Sequence, residues 1–175
     1  PQQVLAGARH ITLGGNTAYI IADAGLVVVD ISQPRKPRLL KTLPLKEGRA
    51  SALQLRYLFV SDAEGLKLVD VTLPEQARLL DVQLPISQAG NIFLSRTYAY
   101  VAAGDQGLAI VDITRPQQMQ LQQTYNAEGR LQDVRDVVVA TTNASLFAYV
   151  ADAKTGLHVI HLTAPDTQPK FYGFS

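Results

Sequence analysis

Apolar residues in this chain fall into short runs broken by Gly, Pro and Asp, and one apolar phrase recurs. It reads Gly25-Leu-Val-Val-Val-Asp-Ile-Ser-Gln-Pro34, then Gly65-Leu-Lys-Leu-Val-Asp-Val-Thr-Leu-Pro74, Gly107-Leu-Ala-Ile-Val-Asp-Ile-Thr-Arg-Pro116 and Gly156-Leu-His-Val-Ile-His-Leu-Thr-Ala-Pro165. The opening glycines lie 40, 42 and 49 residues apart, a spacing that marks stacked supersecondary units. β-Branched content and the closing Ser/Thr-x-Pro predict strands, because a helix interior does not tolerate that proline. A second apolar run precedes each glycine: Ala18–Ala22, Tyr57–Ser61, Tyr98–Ala102 and Phe147–Ala151. The short connections between the two runs carry Asp23, Asp62, Asp105 and Asp152 next to Gly, which predicts hairpins. Runs at His10–Leu13, Ala52–Leu55, Asn91–Leu94 and Asp136–Val139 supply a first strand. Runs at Arg38–Leu43, Arg78–Val82, Gln120–Thr124 and Lys170–Phe174 supply a fourth.

Each unit is therefore expected to be a four-stranded antiparallel meander. Its third strand is apolar on both faces: Leu26 and Val28 alternate with Val27, Val29 and Ile31, and Leu108 and Ile110 with Ala109, Val111 and Ile113. A sheet with one wet face would alternate apolar with polar. Small sheets covered on both sides and repeated in series predict an all-β chain, a β-propeller with one unit per blade. The expected blades are 7–45, 49–86, 90–126 and 134–175, forming one propeller domain or part of a larger ring. Residues 1–6 are expected to be the tail of a preceding blade or a closing strand, since Val4-Leu5 stands where other units have their fourth strand.

These phrases resemble the LVIVD repeat of bacterial and archaeal cell-surface proteins, whose units are expected to form propeller blades. The resemblance covers nearly the whole chain in four copies. It implies an extracellular, cell-surface or periplasmic location and assigns no chemistry. The fourth copy departs from the pattern, with His161 in place of the aspartate at Asp30, Asp70 and Asp112, and with an insertion around Thr141–Ser145.

Composition narrows the chemistry. The 175 residues contain no cysteine, which excludes disulfides and thiolate metal sites within the chain. Sixteen basic residues against 15 acidic give a net charge of +1, so no broad field recruits nucleic acid. No apolar run approaches the roughly 18 residues of a membrane helix. No basic-then-apolar leader follows Pro1, so a targeting signal is expected outside the sequence. Phosphate-loop, zincin and nucleophile-elbow motifs are missing.

Asp30, Asp70 and Asp112 precede Ser/Thr-x-Pro and are expected to accept turn N–H groups. Asp23, Asp62, Asp105 and Asp152, with Arg49 and Arg130 in the fourth-to-first connections, form a candidate binding rim. The first-strand positions His10, Ala52 (beside Ser51), Asn91 and Asp136 offer imidazole, amide and carboxylate. His10, Asn91 and Asp136 are thus candidate ligands of an axial divalent cation, although Ala52 interrupts the set. His158 and His161 are three apart on a strand and should face opposite ways. The basic cluster Arg35–Arg38 with Lys41 fits an exposed edge.

Three readings remain open. The preferred one is a non-catalytic surface module, without cofactor, that scaffolds a protein or glycan partner. A second is a propeller hydrolase or lyase with an axial metal. The third makes the blades purely structural, supporting other domains of a longer chain.

Overall fold

The computed structural model describes residues 2–142, 145–162 and 170–173. The chain divides into two compact units, Pro1–Pro85 and Ile86–Ser175, each holding two four-stranded sheets. In the first unit, β1 (His10–Gly14), β2 (Thr17–Ala22), β3 (Gly25–Asp30) and β4 (Arg38–Leu43) form one sheet. The other contains β5 (Ala50–Gln54), β6 (Tyr57–Asp62), β7 (Gly65–Asp70) and β8 (Arg78–Leu84). In the second unit, β9 (Ile92–Ser95), β10 (Tyr98–Ala102), β11 (Leu108–Asp112) and β12 (Gln120–Tyr125) form the third sheet. The fourth contains β13 (Val134–Thr142), β14 (Ser145–Asp152), β15 (Gly156–Leu162) and β16 (Lys170–Gly173). Every sheet is antiparallel with its strands in chain order. The fold is all-β, of the β-propeller class, with four blades.

The third strands of the first three blades are buried on both faces, as their sequence requires, whereas Leu157 in the fourth blade's β15 is exposed. Leu26–Val29, Leu66–Val69 and Leu108–Val111 are all buried. Within the first unit, Tyr19, Ile21, Leu26 and Val28 of the first blade pack against Leu58, Val60, Val69 and Val71 of the second. Within the second unit, Tyr100, Ala102, Leu108 and Ile110 pack against Val137, Ala148, Val150 and Ile160. Burial of large aliphatic and aromatic side chains, at about 1.5–3 kcal/mol each, is what holds the two blades of each unit together.

Each opening glycine takes a positive φ, and at two of them a side chain would also collide with the neighbouring strand's end. Gly25 sits at φ 107, and a Cβ there would strike the carbonyl of Leu43. Gly107 repeats this at φ 89 against the carbonyl of Tyr125. The closing prolines Pro74 and Pro116 start single 3-10 turns, Pro74–Gln76 and Pro116–Gln118, where a missing N–H costs nothing.

Two expectations need correction. Gln2–Leu5 form a 3-10 turn and not a strand. Val4 packs on the face of the first blade opposite the one that meets the second, against a cluster of Ala18, Ala22, Val27 and Val29, and the carbonyl of Ala6 accepts the N–H of Asp23 at 3.0 Å. Leu55 lies outside β5: it turns the chain at φ 54 and is 93% exposed. The insertion in the fourth blade lengthens β13 and β14 to nine and eight residues; residues 143–144 and Phe174 lie outside the described set.

Candidate functional site

The four hairpin aspartates share a sequence position and differ in environment. Asp62, at the end of β6, is fully buried. Its Oδ1 accepts the N–H of Glu64 at 2.8 Å, closing its own hairpin. Its Oδ2 accepts the N–H of Lys46 at 3.2 Å, from the loop that enters the blade. The same oxygen takes Lys67 Nζ at 2.7 Å, and that ammonium also reaches Glu64 Oε2 at 2.6 Å. Asp152, at the end of β14, follows the same plan without a cation. Oδ1 accepts the N–H groups of Lys154 (2.8 Å) and Thr155 (3.0 Å), and Oδ2 those of Gln132 (2.6 Å) and Asp133 (2.9 Å). Burial pushes its carboxyl up, and the four N–H bonds overcome that and hold it at about 2. Asp23 and Asp105 are exposed. Asp23 pairs with Arg9, whose guanidinium also donates to the carbonyls of Gly7 and Gly48. Asp105 accepts from the side-chain amide of Gln106 at 2.9 Å.

Lys67 was not among the residues singled out from the sequence. It stands at the phrase position held by Val27, Ala109 and His158, in the middle of a buried strand, and is 8% exposed. Burial lowers an ammonium's affinity for its proton, and the carboxylates of Asp62 and Glu64 raise it by more, so Lys67 stays charged. A lone Lys inside an otherwise apolar third strand was the available signal. The carboxylate set that neutralises it comes from its own hairpin.

The phrase aspartates hold the connection after the third strand. Asp30 Oδ1 accepts the N–H of Ser32 (2.9 Å), Asp70 Oδ1 that of Thr72 (3.0 Å) and Asp112 Oδ1 that of Thr114 (2.8 Å). Hydrogen bonds from those hydroxyls and N–H groups hold all three carboxyls below the usual range. Across the ladder, Asp30 pairs with Arg38, Asp70 with Arg78 and Asp112 with Gln120. Both arginines reach their aspartate's Oδ2, at 3.1 and 3.6 Å.

Of the first-strand candidates, Asn91 and Asp136 come together: the Asn91 amide donates to Asp136 Oδ1, which also accepts the N–H of Val137 at 2.7 Å. Asn91 immediately precedes β9, and Asp136 follows a register shift in β13. His10 opens β1 in the first unit, where its Nδ1 accepts the N–H of Ser51 at 3.3 Å and lies 3.4 Å from the Ser51 hydroxyl. Among the described residues, no group of three His, Cys, Asp or Glu side chains could hold a metal ion. His158 is buried with Nε2 2.6 Å from Thr155 Oγ1, whereas His161 stacks on Phe147 at 4.9 Å between ring centroids. Arg49 is half-buried and its N–H donates to Ser61; Arg130 is exposed and its carbonyl accepts the Thr155 hydroxyl at 3.2 Å. No described helix is long and apolar enough to cross a membrane.

The model of the LVIVD repeat matches residues 7–43, 87–127 and 133–165, more than half of the chain. The chain belongs to the LVIVD repeat family. The LVIVD match passes over the second blade, the one whose third strand carries Lys67. No curated protein matches the chain. Among solved structures it is similar to a functionally unknown protein from Desulfotomaculum acetoxidans (TM-score 0.68, 13% identity, 95% of this chain and 55% of that one). It is also similar to AztD of Citrobacter koseri (TM-score 0.55, 20% identity, 94% and 47%) and to GH43B of the Bacteroides ovatus xyloglucan locus (TM-score 0.55, 10% identity, 98% and 41%). The chain thus spans about half the length of these structures. At such identities the likeness speaks to the fold alone.

Proposed function

We propose that this LVIVD-repeat chain is a non-catalytic binding module, part of an extracellular or cell-surface protein, that holds interstrand loops rigidly for a protein or glycan partner. The observation that carries the reading is where the recurring carboxylates go. Asp62 and Asp152 tie each hairpin to the loop entering its blade, and Asp30, Asp70 and Asp112 close the connection after the third strand. Side chains committed to the backbone stiffen the loops, and the rim those loops form, with Arg49 and Arg130 on it, is the surface offered to a partner. The reading needs no metal.

The test is binding of the purified chain to arrays of extracellular glycans and secreted ectodomains. Saturable binding that survives chelation, and weakens in Arg49→Glu or Arg130→Glu at unchanged melting temperature, is the expected result. Turnover of a glycoside or ester substrate, lost in Asp136→Ala, would overturn it in favour of an enzyme.

A further inference from the structure

The first three blades carry the same phrase aspartate, and its second oxygen is treated in two ways. In the first and second blades an arginine of the fourth strand, Arg38 or Arg78, supplies a guanidinium to Oδ2. In the third blade the cross-strand residue is Gln120, and among the described residues the carboxylate of Asp112 accepts from Thr114 and from no arginine. A groove opens there, lined by Asp112, Thr114, Arg115, Gln118 and Gln120. Arg115 is the cation among the lining residues, and the groups that lower the Asp112 carboxyl are the Thr114 hydroxyl and N–H.

We propose that this groove binds a guanidinium supplied from outside: an arginine side chain of a protein partner takes the place that Arg38 and Arg78 fill in the other two blades. The inference deepens the binding-module reading and rests on it. The two occupied blades act as internal templates for the ligand. In the first this carboxylate, with Oδ1 fixed by the following turn, accepts a guanidinium N–H at Oδ2 from the fourth-strand side, and in the second it holds a guanidinium at 3.6 Å as an ion pair. The shorter, neutral Gln120 removes the built-in cation. The remaining lining suits the rest of an arginine residue: Arg115, Gln118 and Gln120 carry N–H donors for the partner's backbone carbonyls. Guanidinium is weakly hydrated and planar, which favours it over an ammonium beside a carboxylate in a groove.

Nα-acetyl-arginine amide is titrated into the 15N-labelled chain, with Nα-acetyl-citrulline amide as the neutral isostere. The expected result is saturable shifts of the backbone amides between Asp112 and Gln120, with citrulline about tenfold weaker for want of a charge-assisted hydrogen bond. Gln120→Arg should abolish the response by restoring the internal pair, and Asp112→Asn should abolish it by removing the acceptor. Both variants should keep the amide spectrum of the remaining blades. Shifts that do not saturate, equal binding of citrulline, or undiminished binding by Gln120→Arg would overturn the proposal. If the probe fails while the array experiment still finds a partner sensitive to Arg49 or Arg130, this site is overturned and the binding-module reading stands.

Discussion

The β6–β7 hairpin of the first unit and the β14–β15 hairpin of the second face the same problem, a buried aspartate at the end of the second strand. In both, one carboxylate oxygen caps the hairpin and the other reaches back to the loop entering the blade. The difference lies in what balances the charge. Asp152 is satisfied by four backbone N–H groups. Asp62 has two such bonds and an ammonium planted in the third strand, which in turn needs Glu64. Backbone amides come with the fold and ask nothing of neighbouring positions. A lysine in the strand makes three side chains interdependent, at a position that Val27 and Ala109 fill without a charge. The family model passes over that blade.

The sharpest way to break the comparison is Lys67→Met. It leaves Asp62 buried without its cation and is expected to cost about 3 kcal/mol, read as a lowered midpoint in urea unfolding. Adding Asp62→Asn to Lys67→Met should recover part of the loss; a single variant as stable as the parent would show that the N–H bonds suffice alone. Next in size is Asp152→Asn, which weakens four hydrogen bonds. Because the folded carboxyl sits near 2, below its unfolded value of 3.8, its contribution of about 2 kcal/mol is complete above pH 4 and lost as pH falls towards 2. The parent's stability should drop across that window more steeply than the variant's. Equal slopes would refute the assignment. The smallest effect belongs to Asp23→Ala, which removes an exposed pair with Arg9. A change within about 0.5 kcal/mol is expected, and a larger one would mean that this hairpin too is stitched to its entry loop.

Much of the blade architecture was legible because it rests on local patterns. Both-face apolarity in Leu26–Val29 and Leu108–Val111 demanded covered sheets, and Asp next to Gly marked the hairpins. The Gln2–Leu5 turn was not legible, because Val4 and Leu5 fit a strand as well as a plug. Packing of Val4 on Val27 and Val29 decided between them. Leu55 looked like a strand residue by type, yet the backbone reverses there. The charge balance around Asp62 and Asp152 was beyond the sequence for another reason. Which amides meet the second oxygen depends on loops 16 and about 20 residues away in the chain, and no periodicity reports that distance. Of the site candidates, the Asn91–Asp136 contact joins residues 45 apart that the alignment of first strands had placed at equivalent positions.

A register shift recurs where the third strand meets the fourth: between Val28 and Val29, between Lys67 and Val69, and between Ile110 and Val111. Each bends the last strand of its sheet just where a free row of amides and carbonyls would otherwise lie straight. A straight row is a template on which another molecule's backbone can zip. Interrupted once in each of the first three blades and carrying Arg38, Lys41, Arg78 and Gln120, these borders make poor templates for fibrous association between copies of the chain.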